Sequence, residues 1–499
     1  MGSLCCSLIN RDNSSQIYVN EGLAKTDNEQ ISITHNNIPY KCIVPVSSMS
    51  QSKISYYSQL STSQYSNHQP INMESSVTNF SYKQNTIDSN FGSIRPVDNQ
   101  LYQFVDFPFL TSLAVIKWML SSRIVFILRG PSGSGKSTIV ECLKDKFVNA
   151  VVCSSDHYFV QSDGTFKYDR SKYNEAENWC QNQIYQALES GKSPVIIDNP
   201  HIRSWQYKYS VDVSMKFDYL VMIVVPKTPW RFDVEQLHEK STKSEPIWEI
   251  DKSINEFEPA IPLYFGWFLN DRDSDNILQF ATDTLELLIN IPEIRLGLAA
   301  ACDLPEFVSK ADLLDHWRMK TDRLHVTTKF CAYGTATDAE SYLKSGAVQE
   351  SLGQLFPIHI KGFLLTTKTF SGHIQLAGPK QIQLWAGDDQ EDISSAMNKY
   401  GSKPTSLSKK TGIAKLNGVK QVRRPFGCRA HMTLMYTEGT KPVQSGLDQL
   451  EIIDMQLKNE TGKFVAVVES GSIIEWGQGR YYLELNYPII CQTLFTGQY

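Results

Sequence analysis

The sequence has no uninterrupted apolar run long enough to cross a bilayer: the best candidate, residues 104–128, is broken by Asp106, Lys117 and Arg123. Membrane attachment would therefore have to come from a lipid. Among ten cysteines there is no C-x-x-C pair and no metal-ligand spacing, which excludes a zinc ribbon and reads as reduced, mostly buried thiols of a cytosolic protein. No positively charged start precedes a long apolar stretch, so a secretory signal is excluded as well. There is also no excess of positive charge. A formal net charge of −5 argues against a generic nucleic-acid binder. Finally, residues 46–100 are poor in aliphatics and rich in Ser, Asn, Gln and Tyr, too little apolar surface to offset the entropy cost of folding.

What is present begins with two matching segments, Leu324-His325-Val326-Thr327 and Ala430-His431-Met432-Thr433. In each, a histidine and a threonine lie two residues apart in a β-branched, apolar run, so on a strand both side chains share a face. Two such strands side by side would make a phosphate-handling site. Cleaving a phosphodiester without a metal needs one group to take a proton from water and another to give one to the leaving oxygen. Imidazole does either near neutral pH. A threonine hydroxyl beside each ring can donate to a phosphate oxygen during attack. A lone His-x-Thr in a strand is more often structural; the pairing within one domain-sized region raises this one.

The second landmark is Gly130-Pro131-Ser132-Gly133-Ser134-Gly135-Lys136-Ser137-Thr138, which fits the phosphate-binding loop G-x-x-x-x-G-K-[ST]. An apolar strand over 124–128 precedes it and a helix-like run over 138–147 follows. Glycines would let backbone amides curl around phosphates, Lys136 would reach the β and γ groups, and Ser137 would ligate Mg²⁺. Further apolar strands are expected over 151–156, 194–199 and 219–225, giving a parallel sheet with helices between. Asp156 and Asp198 end two of them. Each is either a nucleotide-facing acid, Asp198 for Mg²⁺ and Asp156 for activating a hydroxyl acceptor, or a helix cap.

Taken in order, these motifs, with Val225-Pro226-Lys227-Thr228-Pro229-Trp230-Arg231, Pro262-Leu263-Tyr264-Phe265-Gly266-Trp267-Phe268, His325-x-Thr327-Thr328-Lys329-Phe330-Cys331 and Arg429-Ala430-His431-x-Thr433, resemble the 2',3'-cyclic-nucleotide 3'-phosphodiesterase family of myelin and its invertebrate relatives. The likeness runs from about residue 101 to the end. It implies an α/β chain: a P-loop NTPase-like parallel-sheet domain related to polynucleotide kinases, followed by an α+β two-lobed, two-histidine phosphoesterase domain. The implied reaction is metal-independent hydrolysis of a nucleoside 2',3'-cyclic phosphate to the 2'-phosphate. His325 and His431 would be acid and base in an order the sequence leaves open, with Thr327 and Thr433 as phosphate clamps. RNA and cytoskeletal proteins are implied as further partners, and ATP or GTP with Mg²⁺ as ligands of the P-loop domain.

Three features depart from the family pattern. The sequence ends Phe495-Thr496-Gly497-Gln498-Tyr499 where the family carries a C-a-a-X box, so it offers no prenylation cysteine. The start, Met1-Gly2-Ser3-Leu4-Cys5-Cys6, is a near match to the myristoylation pattern at Gly2, with Cys5 and Cys6 offering palmitoylation as the second signal that stable anchoring takes. Residues 403–424 carry Lys403, Lys409, Lys410, Lys415, Lys420, Arg423 and Arg424 and no acid, a basic loop that either steers phosphates or is merely solvated.

The expected organisation is thus a lipid-anchor segment over 1–14 and a largely disordered extension over 15–100. Within the extension, Gln16–Val19 and Ile31–Ile33 form either a short hairpin or nothing. The P-loop domain follows over 101–295 and the phosphoesterase domain over 296–499, on the cytoplasmic face of a membrane, most simply the plasma membrane. Two other functions stay in view. A 5'-hydroxyl kinase would make this a two-ended RNA repair enzyme, but the lid segment after Trp230 offers only Arg231, Lys240 and Lys243 before Arg272. A membrane-tethered scaffold for RNA or cytoskeleton would survive loss of both histidines.

Overall fold

A computed structural model describes residues 31–35, 38–42, 104–243, 245–305, 309–320, 323–400 and 423–499. The expected lipid-anchor segment, residues 46–100 and most of the expected basic loop lie outside these. Strands β1 (Ile31–His35) and β2 (Ile38–Cys42) pair as an antiparallel hairpin in a unit of its own, residues 9–95. The expected partner Gln16–Val19 lies outside the described residues. The rest of the described chain belongs to one compact unit. Among the described residues no helix is long and apolar enough to cross a membrane.

The first domain is built on four parallel strands: β3 (Ile124–Leu128), β4 (Val151–Cys153), β5 (Val195–Asp198) and β6 (Leu220–Val224), in the order β4–β5–β3–β6. Every residue of β3 is buried, as continuous aliphatic runs are when helices cover both sheet faces. Helices α1 (Leu113–Leu120), α2 (Lys136–Lys146), α3 (Tyr173–Glu189) and α4 (Ser204–Lys216) supply that cover, α2 to α4 as the crossovers between successive strands. β4 stops at Cys153, short of the acid expected at its end. Ser154 there caps a 3₁₀ turn, Ser155–Phe159, by accepting from the Asp156 amide.

The second domain begins earlier than the expected residue 296. Strand β7 (Tyr264–Leu269) and helix α6 (Asp271–Asn290) belong to it: β7 pairs antiparallel with two strands of the second sheet, and Ile277, Ala281, Leu285 and Leu288 of α6 share a core with Phe265, Trp267 and Leu324. The run Tyr-Phe-Gly-Trp-Phe-Leu has no alternation, so sequence cannot tell it from one more strand of the parallel sheet. The remaining strands are β8 (Arg318–Met319), β9 (His325–Phe330), β10 (Leu355–Leu365), β11 (Thr369–Gln375), β12 (His431–Tyr436), β13 (Lys463–Val468), β14 (Gly471–Glu475) and β15 (Tyr481–Gln498).

Two long strands make two lobes from one sheet. β15 pairs β14 through residues 481–485 and β7 through 493–498, while β10 runs along both halves with a bulge between Ile360 and Gly362. One lobe therefore reads β10–β15–β7–β9 and the other β13–β14–β15–β10–β11–β12–β8. The same strand docks the two domains. Trp118 of α1 donates to the Gln492 carbonyl at 2.9 Å, Phe268 and Leu494 pack into the core under α1 and α2, and Tyr499 is buried with Val125, Ile127 and Tyr207.

Candidate active site

Alternation on β9 and β12 sends Val326, Thr328, Met432 and Leu434 into the core and leaves His325, Thr327, His431 and Thr433 partly buried on the other face. The two strands are not ladder partners, contrary to the side-by-side arrangement expected. β9 edges one lobe and β12 lies near the edge of the other; the strands meet across the seam. Register alone could not show this, because it depends on β10 and β15 spanning both lobes.

Each imidazole is held by its own chain. His431 Nδ1 lies 2.8 Å from the Arg429 carbonyl, and His325 Nδ1 lies 3.0 Å from the Arg323 carbonyl. A carbonyl can only accept, so His431 Nδ1 carries its proton there and its Nε2 keeps a lone pair. His325 Nδ1 has two more neighbours, Lys320 Nζ at 3.1 Å and the Tyr264 hydroxyl at 3.4 Å. The Tyr264 ring stacks on His325 at 4.7 Å, and Phe268 packs at 5.3 Å. Burial, and then the Lys320 charge, push His325 well below the usual histidine range. Burial likewise lowers His431 to about 4, the Arg429 charge adding to the effect. Both rings are thereby biased toward the neutral form.

The hydroxyls differ. Thr433 Oγ1 donates to Ser445 Oγ at 3.0 Å, at the start of helix α7 (Gln444–Leu457), whose first amides favour a bound anion. For Thr327 Oγ1 there is no hydrogen-bond partner among the described residues. Gly446 in the same first turn lies under His431: a Cβ there would stand 2.8 Å from the ring's Cε1.

The supports on either side are ionic. Arg429 pairs with Glu391 at 2.6 Å, and the Asp389 carboxylate accepts from the amides of Gly427 and Arg429 and from Trp385 Nε1. The buried Arg424 forms a two-toothed pair with Asp454, at 2.6 and 2.7 Å, where the chain returns from the basic loop. On the other strand, Arg323 reaches the Asp218 and Leu269 carbonyls and the Asp271 carboxylate, and Asp271 also holds Arg123 at 3.2 Å. Arg323 thus ties the carbonyl beside His325 to the first domain. Tyr264, Lys320, Ser445 and Gly446 were not legible as site residues. Only the motif around Tyr264 gave a signal.

The P-loop lies between β3 and α2. Gly130, Gly133 and Gly135 have φ of +142°, +78° and +104°, values open to glycine. Lys136 Nζ donates to the Gly130 and Pro131 carbonyls, and burial lowers its pKa to about 8. Ser137 and Thr138 sit in the first turn of α2, which has no side-chain cap, and Ser134 Oγ is buried without a partner. An orphan hydroxyl, uncapped amides and a glycine cradle fit a polyphosphate. The lid segment closes the loop: Gly133 lies against the Leu237 carbonyl of helix α5 (Val234–Lys240), Glu245 accepts from Ser132 at 2.7 Å, and Lys243 pairs with Asp156 at 2.6 Å. Neither expected acid is a cap. Asp156 takes Lys243, and burial raises Asp198, offset by nearby Lys136.

A family model described as "2',3'-cyclic nucleotide 3'-phosphodiesterase (CNP or CNPase)" matches residues 261–499, and one described as "AAA domain" matches 125–258. The first of these places the domain boundary where β7 does. The 2',3'-cyclic-nucleotide 3'-phosphodiesterase of Rattus norvegicus is 30% identical over 407 residues, covering 79% of this chain and 87% of that protein; the Mus musculus protein is 28% identical over 403 residues with the same coverage. NEDD4-binding protein 2 of Homo sapiens is 36% identical over 114 residues, 23% of this chain and 6% of that one. Among solved structures, a fungal RNA kinase aligns over 75% of this chain and 99% of its own at 11% identity, with a TM-score of 0.24. With the parallel-sheet and antiparallel-sheet domains in this order, and a relative matched along most of both chains, the protein is a member of the 2',3'-cyclic-nucleotide 3'-phosphodiesterase family of enzymes.

Proposed function

We propose that this chain hydrolyses nucleoside 2',3'-cyclic phosphates, free or at RNA 3' ends, to 2'-phosphates without a metal, using His325 and His431. The observation that carries the reading is the pair of imidazoles held through Nδ1 on two strands that meet at the lobe seam, each with a threonine on its own strand face. One Nε2 takes a proton from water as its oxygen attacks phosphorus. The other protonates the ribose 3' oxygen as the P–O3' bond breaks, which leaves the phosphate on O2'. Thr327 and Thr433 donate to the phosphate oxygens whose charge grows at the transition state, and the first turn of α7 adds its amides.

The P-loop domain binds a nucleoside triphosphate in this reading. Ser137 and Asp198 would hold Mg²⁺, which when bound neutralises phosphate charge, while the loop amides and Lys136 hold the phosphates. The Asp156–Lys243 pair beside this loop favours, as a second reading, phosphoryl transfer to a hydroxyl that Asp156 accepts from. Gly2, Cys5 and Cys6 would tether the enzyme to a membrane by acylation.

The test is incubation of the purified full chain with 2',3'-cyclic AMP in EDTA, beside His325→Ala and His431→Ala. Formation of 2'-AMP, lost in both variants, supports the reading; absence of turnover by the folded wild-type chain, or 3'-AMP as product, rejects it. Radiolabelled myristate incorporation that is lost in Gly2→Ala tests the tether.

A further inference from the structure

Lys320 is held to one catalytic strand and reaches the other. It directly follows β8, the short partner of β12, and its amide donates to the Leu434 carbonyl of β12 at 2.8 Å. Its side chain crosses to β9, where Nζ stands 3.1 Å from His325 Nδ1 and 3.3 Å from the Arg323 carbonyl. An ammonium has only donors. A proton on His325 Nδ1 would point the imidazole N–H and the ammonium at one another across a hydrogen-bond distance. With Nδ1 unprotonated the 3.0 Å bond from Nδ1 to the Arg323 carbonyl is given up, and the ammonium bridges the two acceptors instead: Lys320 donates to Nδ1 and to that same carbonyl, and the imidazole proton moves to Nε2, away from the lysine.

We propose that Lys320 holds His325 in its Nε2–H form and is the proton source behind it, so that His325 acts as a relay to the leaving oxygen. This rests on the phosphodiesterase reading and deepens it. In the step, His431 Nε2 takes one proton from the attacking water and the new P–O bond forms. As the P–O3' bond breaks, O3' receives the Nε2 proton of His325 while His325 Nδ1 receives one from Lys320. Lysine ends as a neutral amine, His325 as the neutral Nδ1–H imidazole and His431 as imidazolium. Solvent then takes the proton from His431 and returns one to Lys320.

The relay resolves a difficulty in the bare two-histidine scheme. With both rings held well below the usual range, neither is an imidazolium acid at neutral pH. A neutral imidazole whose Nδ1 is fed by an ammonium can still deliver its proton without becoming an anion. Among the described residues, the titratable and charged groups facing His325 are Lys320, the Tyr264 phenol on β7 and His431 on β12, with Arg429 against His431. The phenol is farther from Nδ1 than the ammonium, and Phe268, which also packs on the ring, is apolar.

The experiment uses the full chain labelled with ¹⁵N-histidine, together with pH–rate profiles for 2',3'-cyclic AMP, for wild type, Lys320→Met and Lys320→Arg. Nitrogen shifts and long-range proton couplings are expected to show His325 as Nε2–H and His431 as Nδ1–H in the wild type, with His325 changing to Nδ1–H in Lys320→Met. The alkaline fall in kcat should move down by more than about one pH unit in Lys320→Met, where only a true imidazolium can supply the proton. Lys320→Arg, a donor that does not release its proton, should keep the Nε2–H form yet lose kcat by about tenfold or more. His325 found as Nδ1–H in the wild type overturns the proposal, as does a folded Lys320→Met enzyme with an unchanged pH profile. Failure of the wild type to turn over would instead reject the phosphodiesterase reading, and the nitrogen spectra still report on Lys320.

Discussion

Gly446 offers a test of the site that separates catalysis from folding. Substitution by alanine places a methyl carbon 2.8 Å from Cε1 and 3.3 Å from Nδ1 of His431, and 3.0 Å from Arg429 Nε. Carbon atoms rest at about 3.5–4.0 Å, so the ring or the helix must give by roughly 0.7 Å. If the ring gives, the 2.8 Å bond from Nδ1 to the Arg429 carbonyl stretches to the limit of a hydrogen bond, at a cost of about 1 kcal/mol. Against this, alanine is the better helix former by up to about 1 kcal/mol. The two terms nearly cancel, and the unfolding free energy measured in urea should change by less than about 1 kcal/mol.

Catalysis has no such compensation. A displacement of about 1 Å at a reacting group costs about 10²-fold, so kcat for 2',3'-cyclic AMP should fall roughly 10- to 100-fold in Gly446→Ala, with KM changed far less. Steady-state kinetics beside urea unfolding reads both quantities. Wild-type kcat in a variant of unchanged stability would refute the placement of His431 against α7, and with it the site built on that placement.

Other outcomes follow from the same geometry. Burial holds His201 at about 4 and His373 at about 3 in the folded chain, against about 6.5 unfolded. The unfolded state therefore binds more protons below pH 6.5, so the stability that these two contribute is complete above 6.5 and declines as pH falls, by about 1.4 kcal/mol per unit for each. Urea midpoints from pH 7 to 5 should show the decline, with a shallower slope in His373→Gln. Arg424→Met removes a buried guanidinium and strands Asp454 and the Asp389 and Glu391 carbonyls, and should cost about 2–4 kcal/mol in the same assay. Gly133→Ala combines a φ of +78° with a methyl pressed onto the Leu237 carbonyl; binding of a fluorescent ATP analogue should be lost while phosphodiesterase activity is retained, and a variant that still binds would reject the loop geometry.

Period and motif made much of this protein legible in advance. The four parallel strands are short, aliphatic and followed by helical runs, and the His-x-Thr spacing set both side chains of each strand on one face, which the alternating burial of β9 and β12 reproduces. Illegible features share one cause, in that each depends on contacts distant along the chain. β7 reads as one more buried strand, and only its antiparallel ladders with β9 and β15 move it across the domain boundary. Lys320 stands in a polar stretch beside a two-residue strand and becomes a site residue only because β8 pairs with β12 while its side chain spans to β9. Gly446 and Ser445 open a helix whose composition gives no hint that it begins under His431.

That distribution has a consequence for how the two domains depend on each other. The carbonyl that touches His325 belongs to Arg323, whose guanidinium is buried against the Asp218 carbonyl at the foot of the parallel sheet and against Asp271, itself bound to Arg123 at the start of β3. The Arg429 carbonyl that holds His431 is fixed within the second domain, through Asp389 and Glu391. One imidazole of the proposed pair is therefore oriented partly by the first domain and the other by the second. Arg323→Lys keeps a charge but loses the fork that reaches a carbonyl and a carboxylate together. It should lower kcat several-fold through His325, leaving the nitrogen shifts of His431 unmoved; equal disturbance of both rings would show that the domain contact supports the fold generally rather than this one imidazole.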